Sequence, residues 1–144
     1  MRKTVFLLAP LALLACAQSA AAAVIEVVKS PYCGCCGHWV EYLRAEGFEV
    51  RVVEAEDVTP TARRLGVPDD LRSCHTASAG GYAIEGHVPA ADIRRLLAER
   101  PDAAGIAVPG MPVGSPGMEQ GDRRQPYATI LFTRDGRRLL FARH

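Results

Sequence analysis

The stretch Ser30-Pro31-Tyr32-Cys33-Gly34-Cys35-Cys36-Gly37 carries three thiols on eight residues, and Cys74-His75 brings a fourth. Cys33 and Cys36 have the two-residue spacing of a redox dithiol, on a turn whose following helix would aim free backbone N–H groups at the sulfurs and favour the thiolate. Cys35 is surplus to such a pair. A third thiol there invites either scrambled disulfides or a metal with several sulfur ligands. Cys35 and Cys36 are neighbours on a turning backbone and cannot both easily point at one ion, a conflict that thiolates bridging several soft ions would relieve. Thiolates alone suit zinc, iron–sulfur or copper(I). The repeated Pro109-Gly110-Met111 and Pro116-Gly117-Met118 tip the choice to copper(I), because thioethers are soft ligands that zinc seldom uses. His75 and His87 are candidate nitrogen ligands, and a mixed sulfur and nitrogen site would permit a change of copper oxidation state.

Plainer roles compete with each of these. Cys33 and Cys36 could form a structural disulfide, with Cys74 a buried thiol or the disulfide partner of Cys35. His75 and His87 could be loop residues bonded to backbone, and Met111 and Met118 apolar pegs that seat their loop. His38 and His144 read as surface residues, and Arg94-Arg95 as a solvated helix face.

The elements that must position these residues follow from pattern. Val24 to Val28 is a β-branched strand running into a loop at Lys29-Ser30-Pro31. Trp39, Val40, Leu43 and Ala45 suit a helix over 37–46, ended by Gly47, and Phe48 to Val53 is a second strand. Strand, helix, strand with short connections predicts a parallel, right-handed unit with the cysteines at the carboxyl end of the first strand. A short helix over 59–65 has Thr59 as cap and Pro60 at its first position. Residues 81–84 suggest a short strand, and 89–100 a helix stopped by Pro101. From Gly105 to Pro126 the density of glycine and proline predicts a long loop, a feature that in a compact domain is usually functional or disordered. Ala128 to Phe132 and Arg138 to Phe141, around Asp135-Gly136, read as a hairpin. No second domain or larger repeat is evident.

Arg2-Lys3, an apolar run from Val5 to Ala15 and the closing Ala20-Ala21-Ala22-Ala23 have the three parts of an export signal over residues 1–23, too short to span a membrane. The expected product is a periplasmic domain over 24–144. Leu13-Leu14-Ala15-Cys16 also resembles a lipobox, in which Cys16 would carry lipid. Without Arg2 and Lys3, 15 basic residues face 16 acidic ones, a balance near −1 that offers nucleic acid no basic patch. Roughly 120 residues can bury a core without disulfide staples, which frees the cysteines for chemistry.

Cys33-Gly34-Cys35-Cys36-Gly37-His38-Trp39, Cys74-His75-Thr76-Ala77, Gly81-Tyr82, Glu85-Gly86-His87-Val88-Pro89 and the segment from Pro109 to Glu119 together resemble the CopG-like family of periplasmic copper-resistance proteins. The likeness spans nearly all of the chain after the signal. It implies a single thioredoxin-like α/β domain with a long Gly/Pro/Met loop, copper held at the grouped cysteines, and a part in copper handling that includes interconversion of Cu(I) and Cu(II). Copper ions and other periplasmic copper-resistance proteins are the implied partners. Gln125-Pro126-Tyr127 before the strand at 128–132 resembles the thioredoxin segment in which a cis-proline faces the dithiol, which would set Pro126 beside Cys33. The expected ligands are Cys33, Cys35, Cys36 and Cys74, with Met111, Met118, His75 and His87 as further candidates. Two other functions stay open: a thiol-disulfide oxidoreductase with Cys33 attacking and Cys36 resolving, and a non-catalytic copper carrier.

Overall fold

The structure is a computed structural model that describes residues 23–144. Except for Ala23, the expected export signal lies outside the described residues, as does Cys16. Seven strands form one sheet: β1 (Ile25–Lys29), β2 (Val50–Glu54), β3 (His75–Ala79), β4 (Tyr82–Gly86), β5 (Gly105–Val108), β6 (Ala128–Phe132) and β7 (Arg138–Arg143), in the order β2-β1-β3-β4-β5-β6-β7. Three helices accompany them: α1 (Gly34–Ala45), α2 (Thr59–Arg64) and α3 (Ala90–Glu99). β1 and β2 are parallel, as the strand, helix, strand pattern requires, and β3 runs antiparallel to both β1 and β4.

Successive residues of a strand face opposite sides of the sheet, and two cores result. Ile84, Ile106 and Val108 join Trp39, Leu43, Ile93 and Leu96 of α1 and α3 on one side. Ala83, Ala107 and Phe132 join Ala62, Val67 and Leu71 on the other. α1 takes its place because Cys36, Trp39, Val40 and Leu43 recur at i, i+3, i+4 and i+7 and are all buried. The cysteine turn is thereby locked to the core through Trp39, whose indole N–H donates to the Val88 carbonyl at 2.9 Å.

Three expectations are corrected. β3 was not foreseen, because His-Thr-Ala-Ser-Ala has neither alternation nor β-branched density; it is held by strands on both sides. Gly105–Val108, expected as the start of a loop, is a buried strand, and Gly105 serves there by closeness: an added Cβ would run into the Ala83 carbonyl and the Phe132 ring. Thr59 is the first residue of α2 and not its cap; the Asp57 carboxylate instead accepts from the Thr59 N–H at 2.8 Å.

His144 also departs from its surface assignment. Its Nε2 is 2.9 Å from Asp92 Oδ2, its ring stacks on Tyr127 at 4.7 Å, and the Thr129 hydroxyl donates to the same carboxylate. Asp92 is buried, so His144→Ala removes a partner from a desolvated acid. The expected loss is about 1–3 kcal/mol, read from urea unfolding of the metal-free protein.

Candidate metal centre

β1 ends at Lys29, the chain turns through Ser30 to Tyr32, and Cys33 becomes the N-cap of α1, its sulfur accepting from the Cys36 N–H at 3.4 Å. Cys35 and Cys36 follow in the first helical turn. Cys74 arrives from across the sheet, one residue before β3, which pairs with β1 so that His75 lies opposite Lys29. All four sulfurs fall within 4.8 Å of one another. The sulfurs of the adjacent Cys35 and Cys36 both belong to this group.

Cys33 and Cys36 are joined as a disulfide, and Cys35 and Cys74 are free thiols. No Cys35–Cys74 bond forms. Cys74 Sγ is 3.0 Å from Cys33 Sγ and 3.2 Å from Cys36 Sγ, and Cys35 Sγ is 3.4 Å from Cys33 Sγ. Near-equal distances place Cys74 beside the disulfide and not behind either sulfur, where in-line exchange would need it. Burial pushes the Cys74 thiol up, and the neighbouring Cys35 adds to this. A coordinated cation would oppose both effects by stabilising the thiolate.

His75 and His87 are fully buried, and His75 follows Cys74 directly in the chain. Neither belongs to the set of donors that meets within 4.8 Å. The His75 ring lies 4.6 Å from Trp39 and 5.1 Å, edge-on, from His87. His75 Nε2 is 3.0 Å from the Gly86 carbonyl and His87 Nδ1 is 2.8 Å from the Pro116 carbonyl. A carbonyl can only accept, so those nitrogens carry hydrogen and the opposite ones carry lone pairs. Those opposite atoms, His75 Nδ1 and His87 Nε2, are buried without a partner. A ring fixed by one N–H to a backbone carbonyl, with its other nitrogen free, is the arrangement of a metal-ligating histidine.

Burial, aided by His87, holds His75 down to about 3, and burial also lowers His87. Between that value and about 6.5 the unfolded chain binds a proton that the folded chain does not, so this stabilisation is complete above pH 6.5 and is lost as pH falls toward 3. Burial raises Glu85, which works in the opposite direction near the acid end. The metal-free protein is expected to lose roughly 4 kcal/mol through His75 across that window at about 1.4 kcal/mol per pH unit, checked by denaturant midpoints from pH 7 to 3.

The glycine-rich loop after β5 returns to the cysteines through Gly117. A Cβ there would lie 2.7 Å from the Trp39 nitrogen and 3.0 Å from the Cys35 carbonyl oxygen, so the loop backbone rests on the first turns of α1. Met118, the next residue, is half-buried, whereas Met111 is 44% exposed with φ at +47°. The two thioethers, alike in sequence, sit in different surroundings. Pro126 is not beside the dithiol. Among the described residues no peptide bond is cis, and Pro126 is exposed in a surface cavity with Gly114, Arg124, Gln125, Tyr127 and His144. The strand it precedes, β6, stands four places from β1, roughly 19 Å at the usual strand spacing. Cys74, before β3, occupies the position facing the dithiol.

A mixed α/β domain that gathers four sulfurs over the start of one helix is a protein built around a metal-capable thiol centre. Two solved structures, both named copper resistance protein CopG, one form 2 and one form 1, are 48% identical to it with TM-scores of 0.80. The matches cover 85% and 84% of this chain and 98% and 96% of theirs. A family described as a protein of unknown function, DUF411, matches residues 71–118. No curated protein matches the sequence. The chain belongs to the CopG copper-resistance family.

Proposed function

We propose that this protein binds copper(I) in the periplasm through Cys33, Cys35, Cys36 and Cys74 and serves copper handling and resistance. The observation that carries the reading is the convergence of all four sulfurs within 4.8 Å, a density of soft donors that a dithiol enzyme does not need. The free lone pairs on buried His75 and His87 support them as further ligands, and a set with both sulfur and nitrogen accommodates interconversion of Cu(I) and Cu(II). Met118 is the better placed thioether; Met111 joins it as a candidate on the outer side of the loop. Other periplasmic copper-resistance proteins are the proposed partners. Among the described residues no helix is long and apolar enough to cross a membrane. Residues 1–23 are proposed as the export signal and 24–144 as one thioredoxin-like domain. The succession β1-α1-β2-α2-β3-β4-α3, with β2-β1-β3-β4 neighbouring in the sheet, supports that fold.

The Cys33–Cys36 disulfide favours a second reading, thiol-disulfide exchange. Anaerobic Cu(I) titration of the fully reduced protein, with metal analysis, separates the two. The copper reading expects more than one ion per chain, fewer in Cys35→Ser, and weaker or more oxidisable copper when Met111 and Met118 are both changed to Leu. No retained copper, with reduction of protein disulfides that depends on Cys33, would favour the oxidoreductase.

A further inference from the structure

We propose that Glu85 is the residue that positions Cys74 in the thiol centre, an inference that rests on the copper reading above. Glu85 is wholly buried on β4, directly opposite Thr76 of β3. One carboxylate oxygen accepts from the Ser73 N–H and from the Ser73 hydroxyl at 2.9 Å; the other accepts from the Thr76 hydroxyl at 2.7 Å. These contacts fall on both sides of Cys74. The Ser73 hydroxyl also lies 2.8 Å from the His75 carbonyl, so its one hydrogen is shared between that oxygen and the carboxylate.

Cys74 has little else to hold it. Its carbonyl accepts from the Ser30 N–H at 3.4 Å and faces the Cys36 sulfur at 3.8 Å, both long contacts, and the β3 ladder begins only at His75. The short, directional side-chain restraints that reach this segment from another element come from the carboxylate. An apolar side chain of similar volume would fill the same space without the cost of desolvating an acid. What the acid adds is the fixed bend at 73–74, and that bend delivers the fourth sulfur to 3.0 Å from Cys33 Sγ and 3.2 Å from Cys36 Sγ.

The test compares parent, Glu85→Gln, Glu85→Leu, Cys74→Ser and the Glu85→Leu/Cys74→Ser double variant. Two quantities are measured: Cu(I) affinity against a chelator, and, in metal-free protein with the Cys33–Cys36 bond intact, the alkylation rate of Cys74 resolved by peptide mass spectrometry. In Glu85→Gln the amide oxygen can accept both Ser73 bonds while its NH2 donates to Thr76, so both quantities should stay within about threefold of the parent. Glu85→Leu should speed Cys74 alkylation several-fold and weaken Cu(I) binding by roughly 10–100-fold, the scale of losing an outer-shell partner. Because Glu85 acts through Cys74, the double variant should bind no more weakly than Cys74→Ser. Parental behaviour in Glu85→Leu, equal losses in Glu85→Gln and Glu85→Leu, or simple additivity with Cys74→Ser each overturns the proposal. Should Glu85→Leu fail to fold, Ser73→Ala and Thr76→Val remove the same bonds singly, and an unchanged alkylation rate in both is equally decisive. If the parent takes up no Cu(I), the copper reading fails, and the alkylation arm still decides the role of Glu85.

Discussion

Cys74→Ser is expected to cost well over the roughly 10–100-fold in copper(I) affinity that loss of an outer-shell partner costs, and to lower the number of ions bound. Cys74 is the sulfur that comes from a different element, and it sits 3.0 and 3.2 Å from Cys33 and Cys36. Without it the remaining three thiols lie on a single turn and no sulfur closes the site from the sheet side. The hydroxyl of serine is a hard, weakly acidic ligand and does not replace a thiolate toward a soft ion. The half-buried side chain holds nothing in the core, so the metal-free fold should change by less than about 1 kcal/mol. Chelator competition and metal analysis measure the first effect, and urea unfolding the second. Parental affinity with three sulfurs would remove Cys74 from the ligand set.

Gly117→Ala is expected to be the most damaging single methyl in the molecule's long loop. Gly117 adopts φ +81°, which alone costs a non-glycine residue about 1–3 kcal/mol. The new Cβ would also meet the Trp39 backbone nitrogen at 2.7 Å, and helix backbone at this buried residue cannot step aside. The loop must therefore lift. Lifting it pulls the Pro116 carbonyl from His87 Nδ1 and carries Met118, the next residue, along with it. Limited proteolysis within residues 109–126 should accelerate, the unfolding midpoint should fall, and copper(I) binding should weaken even though no donor atom has been removed. Gly110→Ala serves as the control: its φ is also positive, but an added Cβ there meets nothing within 4 Å, so it should show the backbone cost alone. Equal effects of the two substitutions would mean that the loop is not seated on α1.

Much of the centre was legible in the residues themselves. The cysteine turn, the helix it opens and the parallel β1-α1-β2 unit follow from local pattern, because apolar spacing, Gly47 and β-branched runs act within a few residues of one another. The proposal of a soft metal likewise rests on side-chain chemistry, which needs no coordinates. β3 was not legible, since His-Thr-Ala-Ser-Ala becomes a strand only through the β1 and β4 ladders on either side. Pro126 was misplaced for a related reason: a proline before a hairpin strand has a local signature, but which strand stands next to β1 is a property of sheet order.

Which sulfurs exist, that three share a turn, and that a Gly/Pro loop bears two thioethers can all be read from the residues alone. The folded arrangement of the chain adds that Cys74 meets those three, that Gly117 brings the loop onto α1, that His75 and His87 each keep one buried nitrogen free, and that Glu85 braces the bend at Ser73-Cys74. Separation along the chain accounts for the difference. Cys36 and Cys74 are 38 residues apart and His87 and Pro116 are 29 apart, distances over which backbone propensity carries no information and only closure of the sheet and burial of its two faces bring the groups together.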